Sequence, residues 1–361
     1  MNPGLKTLNS VGRNAAIDLI RGLAILAVIL GHLYIHLPFA NQWPQWLVDI
    51  LFFGGYYGVR VFFVISGFLI AQSIMHKWGS LPQVNLRRFY LMRFARIVPC
   101  LIALIVILSA LDLFKVPGFT LVGTTLPQAI FAALTFRMNS LVAELNGHIV
   151  GAWFVLWSLS VEEVFYLFFP LLCLVFKKQR WLILVLGIFI VIGPFSRVFG
   201  VTEGRQDYSY LSCMDGIAFG VLAALFVAKN PNLKSRGFVL SGLCLVVLVF
   251  CLRHVTYLLG LTKANLNVTA LELGIALMLV AFSQNTLRLR GTRFLQWYGR
   301  NSYEVYLTHM LVIALGTAIF KGMGFVLPLY ALMVMASGLL GYVVAKYYSE
   351  PLNTWIRHVR N

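Results

Sequence analysis

Acidic side chains are scarce in this chain: 12 Asp and Glu stand against 29 Lys and Arg among 361 residues, and charged types together make up only 11%. A soluble domain carries about 25% charged residues, so a surface wetted all round is excluded. Hydrophobic types make up 60% and the mean hydropathy is +0.84. That places the chain among polytopic membrane proteins, as one continuous bundle rather than separate domains. Cysteine is sparse too. Cys100, Cys173, Cys213, Cys244 and Cys251 all lie in apolar runs, without a Cys-x-x-Cys pair. They read as small hydrophobic core residues, and no metal site is expected from them. Gly-x-Ser-x-Gly and a glycine-rich phosphate loop are missing, which removes the nucleophile elbow and the P-loop from consideration. No internal repeat stands out. A removable signal peptide is not expected either: Asp18 and Arg21 interrupt the first apolar run, which continues too far for a signal core and reads as a retained span. The formal charge of +17 does not point to nucleic acid, because the basic residues sit in short loops and no folded basic module exists to carry such binding.

What the chain has in quantity is apolar run. Stretches near 15–38, 48–75, 95–113, 152–176, 181–199, 209–228, 237–253, 266–285, 302–320 and 325–346 predict an all-α polytopic bundle of about ten transmembrane helices. Basic residues recur in alternate connections: Lys77, Arg87, Arg88, Arg93 and Arg96; Lys177, Lys178 and Arg180; Lys229, Lys234 and Arg236; Arg288, Arg290, Arg293 and Arg300; Lys346, Arg357 and Arg360. With Lys6 and Arg13, twenty of the 29 basic residues fall on one side and seven on the other. The positive-inside rule then sets both termini in the cytoplasm. Leu126 to Thr135 is apolar but too short to cross. Residues 116–151 are therefore expected to form one long external loop, carrying Arg137, Asn139, Glu144, Asn146 and His148. Residues 79–94 interleave Leu86, Phe89, Tyr90 and Met92 with Arg87, Arg88 and Arg93. This pattern predicts a basic interfacial helix on the cytoplasmic surface, either an anchor to anionic lipid or a site for a soluble polyanion.

Several polar side chains stand where a membrane span disfavours them. Arg21 and His32 lie eleven residues apart on one helix, hence on one face and about 16 Å apart along its axis. Ionisable groups at such depths mark pathways or reaction sites. The second run carries Arg60 and Ser66, flanked by Gly58 and Gly67, which suit close helix packing. Ser158 and Glu162 share a face of the fourth run, with Glu163 adjacent. Ser302, Tyr306 and His309 share a face of the ninth. His32 and His309 reach similar depths on separate helices. Asp215 and Glu272 are further intramembrane acids to which the pattern assigns no role. The set suits a general base working on a hydroxyl, or equally a proton relay in a secondary transporter.

The motifs resemble those of the acyltransferase-3 family of integral-membrane O-acyltransferases. The likeness rests on Asp18 with Arg21-x10-His32, on Gly58-x-x-x-Phe62-Phe63-x-x-Ser66-Gly67-Phe68-Leu69, and on Arg93-x-x-Arg96-Ile97-x-Pro99. It continues through Trp157-Ser158-Leu159-x-x-Glu162-x-x-Phe165-Tyr166-Leu167-x-x-Pro170, Ser302-Tyr303-x-x-Tyr306-Leu307-x-His309 and Glu350-Pro351. The resemblance implies transfer of an acyl group, usually acetyl, from acyl-coenzyme A to a hydroxyl of an envelope sugar, polysaccharide or lipid-linked glycan. It implies a multi-pass protein of the bacterial cytoplasmic membrane, with acetyl-CoA as co-substrate and no bound cofactor. By that analogy His32 is catalytic and Arg21 its companion, with Glu162 a candidate to orient the imidazole. Arg93 and Arg96, with Arg88 beside them, are expected to hold the coenzyme phosphates, which need concentrated positive charge. Ser66, Tyr306, His309, Asp18 and Arg60 are expected along the transfer path. Larger members carry an extra hydrolase-like domain outside the membrane. This sequence ends eleven residues after Glu350, so residues 1–361 are expected to form a single membrane unit without one. The rival expectation is a proton-coupled secondary transporter, which also places His, Glu and Arg at the midplane.

Overall fold

Asn14 opens the first helix. Its side chain accepts from the backbone N–H groups of Ala16 (2.9 Å) and Ile17 (3.3 Å), two of the donors that a helix start leaves bare. The structure, a computed structural model, describes residues 14–37, 43–147, 151–200, 202–231, 233, 236–284, 290–320 and 326–358. Lys6, Arg13, His148, Lys234, Arg288 and Arg360 lie outside them. The order is α1 (Ala15–His36), α2 (Gln45–Trp78), α3 (Leu86–Leu113), α4 (Leu126–Leu134), α5 (Met138–Glu144), α6 (Leu156–Val175), α7 (Gln179–Phe199) and α8 (Glu203–Tyr208). Then come α9 (Tyr210–Lys229), α10 (Arg236–Cys251), α11 (Arg253–Leu258), α12 (Leu266–Gln284), α13 (Arg293–Arg300), α14 (Ser302–Phe320), α15 (Val326–Val344) and α16 (Glu350–His358). A π-turn, Ala345–Ser349, joins the last two. The described residues contain no strand. Nine of their helical segments are long and apolar enough to cross a membrane, so the chain is an all-α, multi-pass membrane protein.

The long α2 lies at the centre, packed along α1 on one side and α9 on the other. Small residues let it in: a Cβ at Gly58 would overlap the Ala24 carbonyl of α1, and one at Gly67 the Ile217 carbonyl of α9. Without a hydrophobic drive between helices in lipid, such backbone contact carries the association. Helices α7 and α12 pack on α9, α10 on α12, and α13 and α14 on α1; α16 lies on α3.

Three expectations change. The basic segment 79–94 is not a helix of its own. Leu81–Gln83 is a single 3-10 turn, and α3 starts at Leu86 and runs unbroken to Leu113, its first turn fixed by Asn85 accepting from Arg88 N–H at 2.9 Å. The run near 237–253 gives only the 16-residue α10. Just beyond its end Arg253 reaches toward α2, its guanidinium 3.4 Å from the Phe53 ring centroid and 3.1 Å from the Tyr57 hydroxyl. Cys100, Cys173 and Cys213 are buried as a core reading requires, whereas Cys244 and Cys251 are exposed on the outer surface of the bundle. Inside 116–151, Leu126 begins α4 behind a capping box in which Thr125 N–H donates to Gln128 Oε1 at 3.1 Å.

Candidate active site

Helices α1, α2, α3, α6, α14 and α16 enclose a cavity of about 520 Å³, a size suited to a small-molecule ligand. Helix α2 lines it from Val59 to Lys77, a rise of about 27 Å. At the Lys77 end the lining is cationic, with Arg93, Arg96 and Arg357 beside Lys77. Midway it is polar. Ser66 Oγ donates to Glu162 Oε2 at 2.7 Å, the Tyr166 hydroxyl donates to the same oxygen at 3.0 Å, and Ser66 and Tyr166 lie 2.5 Å apart. The Arg93 guanidinium sits 4.4 Å from the Tyr166 ring centroid, a contact that holds the charged group at the cavity wall. Glu163 lines the same wall and keeps one buried oxygen, Oε1, without a partner. A ligand donating N–H or O–H there would complete it.

A second, more polar cavity of about 370 Å³ shares Arg21, Leu69, Gln72 and Arg96 with the first. Asp18, Arg300, Glu304 and Glu350 line it, along with Ala345 and Ser349 of the π-turn. Arg21 stands between the two cavities, its Nε donating to Ser302 Oγ at 3.1 Å.

At its inner end the first cavity stops at Val59, Ser158 and Tyr306. The Tyr306 hydroxyl is held by Ser158 Oγ at 2.7 Å and the Val155 carbonyl at 3.2 Å. Behind it lies the histidine pair: His32 Nδ1 and His309 Nε2 are 2.9 Å apart. The Tyr306 ring centroid is 5.7 Å from that of His309. His309 is fully buried, His32 half-buried with Phe154 edge-on against it. Matched depth on two helices did bring the imidazoles together, but neither ring lines the cavity. Tyr306 stands between.

Other expectations need correction. Glu162 does not orient His32; its carboxylate is taken up by Ser66 and Tyr166, and the partner of His32 is His309. Arg60 is not on the path. It is fully buried, donates to the Ser212 and Asp207 carbonyls and the Tyr56 hydroxyl, and lies 3.9 Å from Glu272. It belongs to a separate cluster in which Arg197 grips Asp215 at 3.0 and 2.7 Å. Arg197 takes up Asp215, whereas Glu272 approaches Arg60 only to 3.9 Å, with neither carboxylate oxygen hydrogen-bonded among the described residues. Arg60 was legible as a charge within a span, but Arg197 counted among the basic residues of the opposite side, so the pairing of helices was not readable. Arg88 is exposed and lines neither cavity, because it points off the face of α3 that carries Arg93 and Arg96. Asp18 lines the second cavity, not the first. Arg357 counted in the sequence only toward the charge bias; the packing of α16 on α3 brings it to the mouth. Among the described residues no group of three or more His, Cys, Asp or Glu is placed to hold a metal ion.

A profile of the acyltransferase domain family matches residues 14–347. The peptidoglycan O-acetyltransferase OatA of Listeria monocytogenes is 26% identical over 330 residues, 85% of this chain and 50% of that protein. The O-acetyltransferase OatA of Staphylococcus aureus is 28% identical over 218 residues, 55% of this chain and 33% of that protein. The chain thus spans half or less of these curated relatives. No solved structure matches.

Proposed function

As the chain belongs to the acyltransferase domain family, we propose that it is a membrane O-acetyltransferase that carries an acetyl group from acyl-coenzyme A across the bilayer to a hydroxyl of a cell-wall polysaccharide. The single observation that carries the reading is the cationic cavity that ends one side chain short of a buried histidine pair. The donor's phosphates rest on Arg93 and Arg96, with Lys77 and Arg357 adding charge, since planar guanidinium groups hold phosphate in forked pairs. The thin pantetheine arm runs inward along α2, one of its amide N–H groups meeting the free oxygen of Glu163. The bias of basic residues toward alternate connections supports a cytoplasmic mouth, on the side where the donor is made, and the reading takes the membrane to be the bacterial cytoplasmic one. Acetylated peptidoglycan is the product named for the Listeria relative, so a wall glycan on the opposite face is the acceptor.

In the reaction His32 takes the proton of the acceptor hydroxyl as that oxygen attacks the thioester carbonyl. The new C–O bond forms, the C–S bond breaks with its electron pair on sulfur, and His32 returns the proton to the thiolate. Acetyl ester and free coenzyme A result. Purified protein in nanodiscs, supplied with radiolabelled acetyl-CoA and wall glycan fragments, is expected to yield labelled ester. His32→Ala should lower the rate by about 10³-fold or more while the protein stays folded. Absence of any ester with wild-type protein, or full activity in His32→Ala, would overturn the reading. Counterflow of a solute in sealed vesicles without covalent product would replace it by a transporter.

A further inference from the structure

The acyl-transfer reading names His32 but not which of its nitrogens reacts. The hydrogen bonds around it decide that. A backbone carbonyl can only accept. The Tyr306 carbonyl lies 2.6 Å from His309 Nδ1, so His309 Nδ1 carries a proton. In the neutral ring the other nitrogen, His309 Nε2, then holds a lone pair. That lone pair faces His32 Nδ1 at 2.9 Å, which must be the donor. The ring geometry is compatible with this: the planes are inclined by 23° and the centroids lie 5.0 Å apart, a separation that leaves room for an N–H···N bond between the ring edges. The lone pair of His32 therefore sits on Nε2.

Resting on the acyl-transfer reading, we propose that His309 is a positioning residue that locks His32 in the Nδ1–H tautomer, so that Nε2 is the nitrogen that accepts the hydroxyl proton and later returns it to the leaving thiolate. A third group orienting a catalytic imidazole is usually a carboxylate. Here it is a neutral ring, itself fixed by the backbone of α14. Among the described residues no carboxylate bonds to either imidazole; the titratable neighbours are His36 one turn along α1 and Tyr306 on α14. Both proton transfers then run through one atom, because the far side of His309 ends on a carbonyl that passes no proton onward. The attacking oxygen, the thioester carbon and the sulfur must all come within reach of His32 Nε2.

Two variants and one spectrum test this. His309→Phe keeps a ring of similar size and removes the acceptor; His309→Gln keeps a carbonyl oxygen able to accept from Nδ1–H. The expected result is a fall in kcat of roughly 10²-fold or more for Phe, donor KM within about twofold, and recovery of at least about tenfold in Gln over Phe. Nitrogen-15 NMR of the wild-type protein in nanodiscs should show His32 with a protonated Nδ1 and a bare Nε2. A bare Nδ1 in the wild type, or a Phe variant with wild-type kcat, overturns the proposal. If wild-type protein transfers no acetyl group, the function falls instead, and the spectrum still decides the tautomer without any variant or turnover.

Discussion

At the scale of single residues, the chain separates two kinds of buried charge. Arg197 and Asp215 form a two-pronged pair with no side-chain exposure, and Thr269 Oγ1 accepts from Arg197 at 2.7 Å. Taking both ions out of water is expensive, and their attraction repays it only while both are present. Asp215→Ala leaves a buried guanidinium uncompensated and should destabilise the fold by about 3–5 kcal/mol. Arg197→Met combined with Asp215→Leu should recover most of that loss. Thermal unfolding in detergent measures both, and an unshifted midpoint for Asp215→Ala would show that the pair holds nothing together. Because the cluster lies away from the cavity, the double variant should transfer acetyl at the wild-type rate per folded molecule. Glu162 is different in kind. Its carboxylate is already bonded to Ser66 and Tyr166, and it lines the cavity, so Glu162→Gln is expected to act on turnover and leave the midpoint nearly unmoved.

At the scale of elements, α3 decides which arginines matter. As one unbroken helix from Leu86 to Leu113, it sends Arg93 and Arg96 to the cavity while Arg88 stays on the outside. Arg93→Ala and Arg96→Ala should each raise the donor KM about tenfold or more, the worth of a charge-assisted hydrogen bond. Arg88→Ala should leave it unchanged, and a KM rise there equal to that of Arg93→Ala would refute the assignment. This is also where the sequence was legible in part. Apolar runs marked the spans well, because in lipid a run of about twenty apolar residues satisfies its own backbone only as a helix. The run at 95–113 did not reveal that its helix began nine residues earlier, since interleaved arginines break the hydropathy without breaking the helix. His32 and His309 were set at similar depth, which works because rise per residue is fixed, but their contact was not readable. Of the two partners of Glu162, Tyr166 lies one turn along the same helix, but Ser66 on α2 was not readable. It depends on which helix α6 faces, which no local pattern sets.

At the scale of the whole molecule, the difficulty in the proposed reaction is to let a thioester meet an acceptor from the opposite face without admitting water between them. The cavity stops at Tyr306, whose ring packs against Phe62 at 6.2 Å and against His309, and whose hydroxyl is tied to Ser158 and the Val155 carbonyl. Tyr306 thus divides the donor side from the histidine pair, and in the proposed reaction the thioester has to pass it. A dividing side chain that yields only to bound donor excludes water until both substrates are seated, which prevents wasteful hydrolysis of a reactive acyl group. Removing the divider should uncouple the two halves. In Tyr306→Ala, thioester hydrolysis in the absence of acceptor is expected to rise severalfold while ester formation falls. Tyr306→Phe keeps the ring and drops only the hydroxyl bonds, so it should hydrolyse little more than wild type. Release of free thiol measured beside ester yield gives the ratio directly. If Tyr306→Ala leaves that ratio as in the wild type, the ring is ordinary packing, and donor and acceptor must be kept apart by some other element of the bundle.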